Sequence, residues 1–86
     1  MQQKQKEFMD EKVFYLGRKI KKQFRATIHS LFLDYTHKRL KPRNIARVNR
    51  LIGRYSSIDS SFVQMTVKTY ENNFGISLRE VLNAEQ

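Results

Sequence analysis

Four arginines, Arg43, Arg47, Arg50 and Arg54, stand at i, i+4, i+7 and i+11, the spacing that stacks side chains along one side of an α-helix. Arginine carries a permanent charge on a planar fork of donors, which suits it to two-point contact with phosphate or with guanine. Ile45, Val48, Leu51, Ile52 and Tyr55 fill the interleaved positions. At about 100° per residue the arginines occupy a narrow arc, and the apolar set centres more than a third of a turn away. Such a helix rests one face on a core and holds a line of guanidinium groups in water. Like charges at these spacings destabilise an isolated helix by a few tenths of a kcal/mol per pair. A polyanion laid along the row would relieve that repulsion, so the row points to binding rather than to catalysis.

A second row, Arg18, Lys22, Arg25 and His29, has the same spacing, and Lys12, Lys19 and Lys21 flank it. Residues 1–55 hold 15 Lys/Arg and 4 acids, a net of +11; residues 56–86 hold 2 and 4, a net of −2, which together give the +9 of the chain. Between Lys12 and Arg54 the only acid is Asp34. The ordinary explanation of such rows is a solvated helix face. Here no i, i+4 ion pairs relieve the repulsion, and a small soluble domain normally intersperses both signs. The distribution therefore predicts a polyanionic partner, nucleic acid first, an anionic membrane or an acidic protein next. The candidate contacts are Arg43, Arg47, Arg50 and Arg54 with Arg18, Lys19, Lys21, Lys22 and Arg25.

The elements that carry these rows follow from periodicity and end signals. Met9, Val13, Leu16, Ile20, Phe24, Ile28, Leu31 and Tyr35 recur every three or four residues, which predicts one long N-terminal helix from about Glu7 to about Arg39, roughly 50 Å long. Gly17 and the stretch Thr27 to His29 are its weak points. Pro42 suits a first helical position and biases Lys41 towards extended backbone, so a second helix is expected from Pro42 to Tyr55. Ser56 and Ser57 read as a connection. Asp59 is placed as an N-cap, with Ile58 and Val63 as a hydrophobic staple. Phe62, Val63, Val67, Tyr70 and Phe74 give a third helix its apolar face, and Gly75 ends it in left-handed backbone. Ser77 with Glu80 is a capping box that opens a short last helix burying Leu78, Val81 and Leu82. No segment alternates with the period of a strand. The expected fold is all-α, a small three- to four-helix domain with a long N-terminal helix. Residues 1–6 are expected to be a disordered N-terminus and 7–86 a single helical domain.

Other chemistries find little support. The chain has no cysteine, hence no disulfide framework, thiolate metal site or thiol nucleophile. His29, His37 and Asp34 fall on different helix faces, too few and too divergent to ligate a metal. There is no glycine-rich phosphate loop and no recognisable nucleophile–base pair, so neither an enzyme nor a cofactor is expected. The longest apolar runs, Val13 to Leu16 and Leu31 to Leu33, are far too short to span a membrane, and a cytoplasmic, membrane-free protein is expected. Phe24 and Tyr35 belong to the core by spacing; Phe14 and Phe32 lie off the centre of the stripe, and extend the core or mark a homodimer surface.

The expected function is binding of nucleic acid, duplex DNA ahead of RNA, by a transcription regulator or accessory factor. In layout alone the second and third helices resemble a helix-turn-helix, which would make Ser60, Ser61, Gln64 and Lys68 the base readers. The rival is a protein-interaction module, an inhibitor or adaptor docking an acidic surface of a nucleic-acid-processing partner.

Overall fold

The computed structural model describes residues 16–84. Three helices follow one another there: α1, Arg18–Thr36; α2, Pro42–Phe74; and α3, Leu78–Leu82. No strand occurs among the described residues, and the fold is all-α.

The first helix is shorter than its periodicity predicts. Gly17 is extended (φ −67°, ψ 167°) and offers no side-chain cap, so the helix starts at Arg18 rather than running through from residue 7. The expected start at Glu7, the tail 1–6, and Met9, Val13, Phe14 and Tyr15 lie outside the described residues. Through Thr27 to His29 the helix is unbroken, and the Thr27 hydroxyl donates to the Gln23 carbonyl at 2.8 Å. It ends at Thr36 instead of Arg39. Lys38 turns left-handed (φ 58°), while Arg39 N–H reaches the Asp34 carbonyl at 2.8 Å and Lys38 N–H reaches Tyr35 at 3.1 Å. That is the double hydrogen bond by which helices commonly close on a glycine. Here a lysine takes the glycine's place, so sequence signals do not mark the stop. Leu40, 3% exposed, anchors the turn in the core.

Lys41 is extended (φ −111°, ψ 144°) and Pro42 opens α2, as a proline at the first helical position should. The expected connection at Ser56 and Ser57 is absent, because both serines are helical. Ser57 donates its hydroxyl to the Arg54 carbonyl at 2.7 Å, which satisfies the side chain within the helix. The break falls on Asp59 alone (φ −150°, ψ 79°). Its carboxylate accepts the Phe62 N–H at 3.1 Å, the N-cap expected of it. Asp59 is thus an elbow between two limbs, residues 42–58 and 60–74.

The elbow folds both limbs onto α1. Phe24 meets Tyr55 of the first limb edge-on, with ring centroids 5.6 Å apart, and Phe62 of the second limb at 5.7 Å. Farther along α1, Phe32 meets Phe74 at 5.5 Å; the second limb therefore runs in the same direction as α1. The first limb runs against it, since Asn44 at its start shares a cleft with Asp34 near the end of α1. The core gathers Phe24, Ile28, Leu31, Phe32, Leu40, Val48, Val63 and Val81, all at most 3% exposed. Phe32 is fully buried, so it extends the core and does not mark a dimer surface.

A five-residue helix cannot hold itself in place, and α3 is positioned by hydrogen bonds on both sides. Gly75 (φ 69°) ends α2 in the left-handed region, where its N–H and that of Ile76 share the Glu71 carbonyl, at 2.8 and 3.3 Å. The Glu71 carboxylate takes the Leu78 N–H at 2.7 Å. Ser77 Oγ accepts the Glu80 N–H at 3.1 Å. The Glu80 side chain then accepts from the Tyr35 hydroxyl of α1 at 2.7 Å, and Val81 closes the core.

Two outcomes follow from these ends. Left-handed backbone strains a lysine and not a glycine, so Lys38→Gly should raise stability by about 1 kcal/mol, read from urea unfolding midpoints. The bond to the Glu80 carboxylate, then burial, raise the Tyr35 pKa above its ordinary value of 10.0. A raised value means that the folded state holds the proton more tightly, so the contribution is complete below pH 10 and is lost as pH rises beyond it. The stability difference between wild type and Tyr35→Phe should be constant below pH 10 and shrink above it; a difference that stays flat to pH 11 would contradict the contact.

Candidate nucleic-acid interface

The two basic rows have different surroundings. On the first limb of α2, Arg43, Arg47, Arg50 and Arg54 are all exposed, because Ile45, Val48, Leu51, Ile52 and Tyr55 turn the opposite arc inward. None of the four has an ion-pair partner among the described residues, where the one ion pair joins Lys21 to Asp59 at 3.9 Å.

On α1 the cations do structural work as well. Lys21 is half-buried, with Nζ 5.2 Å from the Phe62 ring centre in addition to its pairing with Asp59. Arg25 lays its guanidinium 5.7 Å from the same ring. His29 stacks 5.5 Å from Tyr70 and 6.0 Å from Phe74. Three cationic or imidazole side chains of α1 thus tie it to the second limb. Arg18, Lys19 and Lys22 are exposed.

These contacts also show how the rows lie relative to each other. Arg25 leans on the second limb, whereas Thr27, two residues on, lines a cleft with Arg47 of the first limb. Two residues are about 200° around a helix. The rows therefore flank α1 on opposite sides and do not form one stripe.

The arginine row gains different neighbours instead. A shallow groove at the start of α2 is lined by Arg43, Arg47 and Arg50 together with Arg39 and Lys41 of the preceding turn, and by Asp34 of α1. Arg39 and Lys41 were not among the residues singled out by spacing. They belong to no helical row, and only their place in the nearly acid-free stretch hinted at them. The turn at Lys38 and the buried Leu40 bring them beside Arg43. The carboxylate of Asp34 has no cation within ion-pair distance among the described residues, although five cations line the groove. Ser60, Ser61, Gln64 and Lys68 are exposed on the second limb, but the three-residue turn that a helix-turn-helix requires is absent, since Asp59 alone breaks the helix. Among the described residues no three His, Asp or Glu side chains gather as a metal site would require. None of the described helices is long and apolar enough to cross a membrane.

The division between engaged and unengaged cations has a measurable consequence. Lys21→Ala and Arg25→Ala should each lower stability by about 0.5–1 kcal/mol through loss of the aromatic contact. Arg43→Ala and Arg50→Ala should leave it unchanged or raise it by a few tenths of a kcal/mol, since they remove like-charge repulsion. Thermal unfolding of the four variants separates the two groups. A scan of protein-family models and searches of curated proteins and of solved structures return no match.

Proposed function

We propose that this chain binds nucleic acid, duplex DNA foremost, as a regulator or accessory factor, and that the first limb of α2 is its contact surface. The observation that carries this reading is the exposed row Arg43, Arg47, Arg50 and Arg54, continued by Arg39 and Lys41 into one cationic groove with no ion-pair partner for the row among the described residues. A helix with its side chains is about 10–12 Å across, and the major groove of B-DNA is about 12 Å wide. The limb can lie along that groove with its apolar arc still on the core and its guanidinium groups on the phosphates. Arg18, Lys19 and Lys22, exposed on α1, serve a strand that wraps past the limb. Lys21 and Arg25, held at the Phe62 ring, are secondary in this reading.

Each neutralised phosphate adds roughly 0.9 to the slope of log affinity against log salt on duplex DNA. Arg43→Ala with Arg50→Ala should therefore weaken binding and reduce that slope by about 2, in gel shifts of duplex DNA, single-stranded DNA and RNA at several salt concentrations. Unchanged affinity for all three would defeat the proposal. So would a stoichiometric protein partner that survives nuclease treatment and is lost in the double variant, which would make the row a docking surface for an acidic protein.

A further inference from the structure

The groove contains a group that phosphate binding does not explain. Asp34 is the single acid between Lys12 and Arg54, and it lines the groove where the cations converge. A carboxylate repels phosphate and, when ionised, only accepts hydrogen bonds. Whatever approaches it must present donors.

Asp34, Asn44 and Arg47 also line a second cavity, a half-open cleft of about 250 Å³ between α1 and the first limb. The cleft borders the groove, and these three residues line both. Ala26 and the edges of the nearly buried Leu31 and Val48 line it on the apolar side and Thr27 and Ser30 on the polar side, a mixed lining that a heterocyclic base can meet. A base still paired and stacked in a duplex cannot enter such a recess; one that has left its stack can.

Building on the nucleic-acid reading, we infer that this cleft receives one unstacked guanine, with its phosphate outside on the arginine row. Guanine presents two adjacent donors, N1–H and the N2 amino group, on one edge, and two acceptors, O6 and N7, on the next. Asp34 matches the first edge, and Arg47, the side chain suited to O6 and N7, matches the second. Adenine and cytosine set a single amino group beside an acceptor, and uracil and thymine set one N–H between two carbonyls, so none of them offers Asp34 two donors. The same carboxylate orients the nucleotide, because it excludes phosphate from the inner end of the groove and leaves it to Arg43 and Arg50.

The test is a titration of the ¹⁵N-labelled full chain with GMP, AMP, CMP, UMP and inorganic phosphate, followed through backbone amide shifts. GMP should bind about tenfold tighter than the other nucleotides, within the discrimination that a bidentate base contact gives, and should shift the amides of Ala26, Ser30 and Asp34. Asp34→Asn should abolish the preference without weakening AMP or phosphate. Equal binding of the four nucleotides, or shifts confined to Arg43 and Arg50, overturns the inference. Tightening of GMP to the same degree as AMP and phosphate in Asp34→Asn also overturns it, since that marks Asp34 as a counter-charge alone. The wild-type ranking decides the matter even if the variant fails to fold. Nucleic-acid binding without GMP preference removes the cleft and keeps the row; GMP preference without nucleic-acid binding does the reverse.

Discussion

One residue out of helical register organises this protein. At Asp59 the backbone of α2 leaves the helical region (φ −150°, ψ 79°), and the chain beyond it returns along α1 in the opposite sense. Without that elbow a 33-residue helix would be about 50 Å long, and α1 could cover only part of it. With it, both limbs close on the same side chains. Phe24 touches a ring from each limb, Tyr55 and Phe62, so the core is continuous across the break. The interruption costs helical hydrogen bonds. It is offset locally by the Asp59 cap on Phe62 and by the approach of Lys21, and globally by burial of apolar rings, at about 25 cal/mol per Å² of surface removed from water.

The elbow also sorts the charges. Because the second limb packs beside the basic flank of α1, Lys21, Arg25 and His29 find aromatic rings and become part of the packing. Because the first limb packs on the other flank, its arginine row meets no such partner and stays in water. Two rows with identical spacing therefore differ in role. Spacing gives the face of a helix; only the neighbouring element decides whether a cation on that face is structural or available.

This explains which parts of the molecule were legible in the sequence. End signals that act within one turn were readable: Pro42 after an extended Lys41, Asp59 as a cap, Gly75 in left-handed backbone, and Ser77 accepting from Glu80. The apolar arcs of the later helices were readable as well, since Val48, Val63 and Val81 are buried where their period placed them. Two features escaped because they depend on contacts distant in sequence or on residues without the usual preference: Lys38 ends α1 where a glycine was absent, and Ser56 and Ser57 remain helical. For Phe32, off the centre of the stripe, the sequence left two alternatives open, and the returning second limb covers it as core. At the candidate site the arginine row was visible as a period of a single helix. Arg39, Lys41 and Asp34 were not, because a turn and a second helix bring them to it.

The uneven charge of the chain then acquires a structural meaning. Residues 56–86 carry a net −2, and the three of their four acids that lie within the described residues have internal tasks. Asp59 caps the elbow, Glu71 takes the Leu78 N–H, and Glu80 takes the Tyr35 hydroxyl. These acids stabilise the scaffold locally and do not neutralise the arginine row across the molecule. Asp34 is the exception, since its side chain makes no ion pair among the described residues while lying nearest the row. A lone carboxylate among five cations alters what the groove admits more than how strongly it attracts. In the proposed reading the arginines set affinity for any polyanion, and selectivity then rests on the one group that repels phosphate.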